Sequence, residues 1–263
     1  LAARQRSFDV AGTIRALPPF ESRKHLPSRL ASLRQLDGRS AVRTRGQGTE
    51  FDSLRDYVEG DDVRSIDWRA TARRRNVVVR TWQPERDRRV IIVLDTSRTS
   101  AGRVGDQPRL DAAMDAALLL AALASRAGDR VDFLAGDRWL RARVAAAANR
   151  TTLLNDLVQA MAPLDPALLE ASWPTLASAI ADTSRRRALV VLLTPLEPAA
   201  IQESLLPSLP ALTRHHRVVI ASVADPAIAA LAETRETTKD AYAAAAAERT
   251  MALQDRTAAV LRR

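Results

Sequence analysis

Along this chain of 263 residues the pattern of apolar and polar positions changes character near residue 88. Beyond that point, short runs of branched apolar residues alternate with longer stretches whose apolar positions recur at three and four. VIIVLD (90–95) is apolar on both faces, as a central strand covered by helices should be. The spacing of Leu110, Ala113, Met114, Ala117, Leu118 and Ala121 predicts a helix over 109–127, stopped by Gly128 and Asp129. RVDFLA (130–135) predicts a strand, with WLRARV (139–144) as its hairpin mate. Further helices are predicted over 153–161, with Thr151 or Thr152 as cap, and over 172–183, 199–213, 226–235 and 241–262. Strands are predicted over 188–194 and 217–223. Strands separated by helices of this length argue for an α/β fold: a mostly parallel, doubly wound sheet with right-handed crossovers and one antiparallel edge. One more strand is the natural continuation of the last helix, so a truncation there is expected.

The first third reads differently. Pro18, Pro19 and Pro27 interrupt residues 1–45, where only RLASLRQL (29–36) suggests a short helix, with Leu30, Leu33 and Leu36 on one side. Residues 49–82 are dense in charge and in aromatics at once. A solvent-facing loop has little use for Phe51, Tyr57, Ile66 and Trp68, so this block is expected to pack as an ordered platform. Gly60 and Asp61 mark a turn, Asp67 is placed to cap a short helix starting at Trp68, and VVVRTW (77–82) reads as a strand. Two regions follow: a basic segment with platform over 1–87, and the α/β domain over 88–263.

Charge sharpens that division. The formal net charge is +9, and residues 1–90 carry 20 Lys and Arg against 12 Asp and Glu, leaving 20 against 19 for the rest. A basic region attracts nucleic acid, anionic lipid or an acidic protein. The aromatics of that third lack the spaced stacking pattern of RNA-binding modules, so a partner or membrane surface is the expected use. The absence of cysteine excludes disulfides, thiolate catalysis and Cys-ligated zinc. No window reaches the length of a membrane span. The start at Leu1, without Met, suggests a fragment whose membrane segment lies upstream.

For chemistry, the stretch IIVLDTSRTS (91–100) stands out. In an open α/β sheet, ligands sit beyond the C-terminal ends of the strands, where Asp95, Ser97, Thr99 and Ser100 fall. A carboxylate with hydroxyls supplies hard oxygen ligands for Mg²⁺ or Mn²⁺. The same residues equally suit a loop cap whose hydroxyls satisfy backbone groups. No phosphate-binding glycine loop, nucleophile elbow or HExxH is present. His215 and His216 are expected at the surface, and Asp61, Asp62 and Asp67 are expected to pair with the arginines around them.

Taken together, residues 50–100 resemble the signature of the DUF58 family. The matching pieces are EFDSLR (50–55), GDDVR (60–64), IDW (66–68), ARR (72–74), Arg80, Glu85 with Arg86, and the Asp95 loop. Weaker resemblance continues through GDRV (128–131) to about residue 225. The resemblance implies a von Willebrand factor A-like (Rossmann-like) domain with a small N-terminal extension, and a metal-ion-dependent adhesion site begun by Asp95, Ser97 and Thr99. Thr151 or Thr152 would supply that site's later threonine. The usual aspartate is replaced by Pro195 in Thr194-Pro195-Leu196-Glu197, with Glu197 as substitute out of register by two. The resemblance also implies a bacterial, membrane-anchored protein with this part on the cytoplasmic side. It implies a non-enzymatic adaptor, acting with a MoxR-type AAA+ ATPase in maturing client proteins and taking no small-molecule substrate.

In such a site one coordination position stays open for an acidic side chain of the partner. The platform, with Arg64, Asp67, Trp68, Arg73 and Arg74, would widen the contact surface. Two alternatives stand beside the adaptor: a metal-dependent hydrolase or nuclease using Asp95 with Asp61, Asp62 or Asp67, and a basic module binding nucleic acid or anionic lipid.

Overall fold

A computed structural model describes residues 16–32, 50–73, 76–83, 88–146 and 152–262. It is a mixed α/β protein. Strand β1 (Glu50–Asp56) pairs antiparallel with β2 (Val78–Gln83), and between them lies the short helix α1 (Trp68–Thr71). The platform is therefore an ordered hairpin, although β1 was not legible as a strand and Trp68, expected to pack, is 67% exposed. Asp67 caps α1 as expected, accepting from the backbone N–H groups of Arg69 and Ala70.

The main sheet contains β3 (Arg89–Asp95), β4 (Arg130–Gly136), β5 (Leu140–Val144), β6 (Leu189–Leu193) and β7 (Arg217–Ala221), in the spatial order β5-β4-β3-β6-β7. All neighbours run parallel except β5, which returns antiparallel beside β4. Helices α2 (Arg109–Ala127) and α3 (Leu153–Met161) cover one face, and α4 (Trp173–Thr183) and α5 (Leu206–Thr213) the other. Helices α6 (Pro226–Glu233) and α7 (Thr238–Leu261) follow β7. Strand alternation divides the core: Val90, Ile92 and Leu94 face α2, while Ile91 and Val93 face α4. That two-sided burial explains the unbroken apolar run of β3. No helix among the described residues is long and apolar enough to cross a membrane.

Helix α2 ends where Gly128 takes φ 94°, a left-handed conformation that returns its N–H to the last turn. Three expectations need correction. The helix expected over 29–36 is already formed at residue 26, and its later residues lie outside the described ones. The helix expected over 199–213 is interrupted by a π-turn at Ile201–Leu205. At the junction with α5, Pro207 has no N–H to return to Glu203 O, whereas Pro210 lies within α5 itself. His216 is buried, not at the surface, because it follows α5 into the groove between α4 and α5, whereas His215 beside it is exposed.

Candidate functional site

Two parallel strands in register build the site. Leu94 pairs with Leu193, so the next residues, Asp95 and Thr194, emerge side by side at the C-terminal edge of the sheet. Thr194 Oγ1 donates to Asp95 Oδ2 at 2.6 Å. The chain turns sharply after Asp95 because Ser97 N–H bonds back to Asp95 Oδ1 at 2.8 Å and Ser100 Oγ donates to Asp95 O at 2.7 Å. That turn brings Thr99 Oγ1 to 3.3 Å from Asp95 Oδ2 and to 3.0 Å from Ser97 Oγ. One carboxylate and three hydroxyls thus converge, and all four side chains are buried.

Among the described residues no Lys or Arg pairs with Asp95, whose bonds come from backbone and hydroxyl donors. Burial pushes its carboxyl above the usual aspartate range, and the bonds from Thr194, Ser97 and Thr99 only partly counter it. The donor set is chemically suited to a hard dication such as Mg²⁺, which accepts one carboxylate with hydroxyls and water. Among the described residues no group of three or more His, Cys, Asp or Glu comes together as a metal cluster. Among the described residues the oxygen donors brought to Asp95 are those of Ser97, Thr99 and Thr194.

The other expected ligands lie elsewhere. Glu197 turns to Arg98, whose guanidinium reaches it at 3.4 and 3.5 Å while also bonding Glu170. Thr152 is exposed at the N-cap position of α3 and makes no capping bond through its side chain. Thr151 lies outside the described residues. Thr194, which joins Asp95, does not stand out in the sequence, where Pro195 beside it occupies the position expected for an aspartate. The signal was available: the residue closing the apolar run of a neighbouring parallel strand sits beside the residue closing the first.

A rim surrounds the loop. Thr96 N–H bonds Gly136 O, and the segment after α3 lies over the turn through Ala167 N–H to Thr96 O and Arg98 N–H to Leu169 O. Asp137, fully buried, holds the β4–β5 turn by accepting from Trp139 N–H at 3.1 Å and Arg141 Nε at 2.8 Å. Burial pushes its carboxyl up, but the Arg141 bond, the Trp139 N–H and the Arg141 charge together hold it below the usual range. This turn presents Trp139, 53% exposed, with Arg138 and Arg141 stacked at 5.6 and 5.3 Å from its ring centre. Leu168, 85% exposed, stands on the overlying segment.

Among the platform residues, Asp61 pairs with Arg55 through two bonds of 2.6 and 2.7 Å, and Asp62 accepts from Arg64 N–H. Trp68 is 67% exposed, and Arg64, Asp67 and Arg73 lie on the same short stretch. Arg74 is outside the described residues. Away from all of these, a groove of about 760 Å³ runs between α4 and α5, lined by Ala177, Ala181, Ala211 and His216 among others.

A model of the family described as "Protein of unknown function DUF58" matches residues 53–256. The chain belongs to the DUF58 family. The DUF58 match includes the whole of the Asp95 loop, Thr194 and the β4–β5 turn. The chain is also 29% identical over 185 residues to the uncharacterized proteins Rv1480 and MT1527 of Mycobacterium tuberculosis and Mb1516 of Mycobacterium bovis. That alignment covers 69% of this chain and 56% of each relative, so the chain spans about half the length of the relatives it matches.

Proposed function

We propose that this chain is a non-enzymatic docking module of the von Willebrand factor A-like type, whose working end is the Asp95 loop. In this reading Asp95, Ser97, Thr99 and Thr194 hold Mg²⁺ or Mn²⁺. The metal supplies a bridging charge that a carboxylate of the partner completes. One observation carries the reading: a buried, uncompensated carboxylate with three convergent hydroxyls, at the sheet edge where α/β folds bind ligands. The rim of Trp139, Arg138 and Leu168 supports it, since exposed Trp and Arg are the residues that dominate protein interfaces.

The partner we propose is a MoxR-type AAA+ ATPase, with which the module would mature client proteins on the cytoplasmic side of a membrane to which the full protein is anchored. The hydrolase alternative needs a second free carboxylate beside Asp95. Asp61, Asp62 and Asp67 are occupied with pairing Arg55 and capping backbone N–H groups.

The test is calorimetric titration of Mg²⁺ and of Mn²⁺ into the chain and into Asp95→Asn, followed by sedimentation with a MoxR-type ATPase with and without the metal. Metal binding lost in the variant, with a complex that forms only with metal, is the expected result. A complex equally strong in EDTA would remove the metal from the mechanism. No complex in either condition would remove this partner.

A further inference from the structure

A second pocket, of about 280 Å³, lies beneath the N-terminal half of α2, against the C-terminal ends of β6 and β7. Its walls are mostly apolar: Ala112, Ala113 and Ala116 of α2 face Leu193, Ala221 and Val223. One charge breaks that lining. Arg109, the first residue of α2, holds its guanidinium in place by one bond, Nη1–H to Thr99 O at 3.2 Å. Its Nε is buried without an acceptor, and among the described residues no carboxylate lies within ion-pairing distance.

A guanidinium is a planar fork with five N–H donors, and its Nε–Nη2 edge matches the two oxygens of a carboxylate. Thr99 engages Nη1, and no carboxylate among the described residues neutralises the guanidinium charge. A buried donor without an acceptor costs free energy that a bound ligand recovers. We propose that this pocket binds a carboxylate carried on a compact apolar group, with the carboxylate against the Arg109 guanidinium and the apolar group among the α2 alanines. A monoanion fits better than phosphate, because the pocket offers one cation and little other polar surface. The volume sits near the lower end of small-ligand sites, which favours a short branched or single-ring group. Ser222 at the wall can add one hydroxyl donor.

The pocket shares Thr194 with the proposed metal site and Ser100 with the Asp95 loop. The experiment is therefore run in EDTA, so that acid binding and metal binding fail separately. Isovalerate and benzoate are titrated by calorimetry and by saturation-transfer NMR, with isovaleramide as the uncharged mimic and acetate as the charge without the apolar group. The acids should bind more tightly than isovaleramide and acetate by at least about tenfold, and lose at least about tenfold with Arg109→Gln. Ala112→Leu, which fills the pocket and leaves Arg109 in place, should abolish binding while the circular dichroism spectrum stays unchanged. It serves as the control if Arg109→Gln fails to fold.

A peptide ending in Gly-Gly-Leu with a free carboxylate, set against its amide, separates the two sources of such a group. Tighter binding of that peptide than of isovalerate points to the C-terminus of a partner, and the reverse to a free acid. Equal binding of isovaleramide and isovalerate, retained binding in Ala112→Leu, or no binding of acids or peptide at about 10 mM would overturn the proposal.

Discussion

Thr194 and Asp95, 99 positions apart in sequence, share the shortest bond of the candidate site, 2.6 Å from hydroxyl to carboxylate. Adjacent parallel strands in register make this pairing unavoidable once Leu94 faces Leu193. A buried carboxylate without a cation depends on such donors. Thr194→Val keeps the shape and deletes the donor. It should lower stability by about 1.5–3 kcal/mol at neutral pH, the range for hydrogen bonds to charged groups. Urea unfolding at pH 7 checks this, and an effect within experimental error would mean that Asp95 is not ionised there.

Asp95→Asn tests the charge itself. Burial raises the folded-state pKa of Asp95 above its unfolded value. The stability this group contributes is therefore fully present below the ordinary aspartate range and is lost as pH rises through the raised folded value. At neutral pH in EDTA the asparagine variant should melt higher than the native chain. The gap should close as pH falls toward about 4, the ordinary aspartate pKa. Added Mg²⁺ should raise the melting temperature of the native chain and not of the variant. A variant that melts lower than the native chain in EDTA at pH 7 would show that the hydroxyl cluster stabilises the charge outright.

Much of this architecture is legible in the sequence, for identifiable reasons. Helix α2 and strand β3 carry unmixed periodicities, and Gly128 supplies a stop that only a left-handed residue makes. Strand β1 was hidden because EFDSLRD mixes charges among its apolar residues and shifts register between Phe51 and Ser53. The π-turn before α5 adjoins Pro207, whose missing N–H acts on the backbone ladder, which apolar periodicity does not register. At the site, Ser97 and Thr99 were readable because they are local to Asp95. Thr194 was not, since its position depends on strand order, and Glu197 was drawn away by Arg98, an ion pair that spacing does not reveal.

Gly136 is needed for space and not for its dihedral angles. A Cβ there would lie 2.6 Å from Trp139 O and 2.9 Å from Leu176 Cδ2. The first contact is backbone, so the β4–β5 turn must move. Gly136 O also accepts from Thr96 N–H, which couples that movement to the Asp95 loop. Gly136→Ala should cost about 1–3 kcal/mol, as overpacking in a close-packed interior does. It should also weaken metal binding, if calorimetry finds any, more than an exposed substitution such as Trp139→Ala. A variant as stable as the native chain would show that the turn has room that the geometry denies.

Arg141 and Asp137 make the opposite electrostatic case to Asp95. Asp137 is fully buried, yet the Arg141 bond and neighbouring N–H groups keep its carboxyl below the usual range. Its stabilising contribution is present above the ordinary aspartate pKa and is lost as pH falls through the depressed folded value. Arg141→Met preserves the aliphatic stem and removes the cation. Breaking a buried pair from one side costs about 3–5 kcal/mol, but Arg141 is 40% exposed, so solvent screening reduces the expected loss to about 1–3 kcal/mol at pH 7. Without Arg141, burial becomes the dominant influence on Asp137, so the variant should lose less stability than the native chain when acidified. Adding Asp137→Asn should recover part of the loss, because the uncompensated charge would then be gone. Urea denaturation of the two single variants and the double variant at neutral and acid pH measures the coupling. Additive losses would mean that the turn presenting Trp139 beside the Asp95 loop is held by its backbone bonds alone.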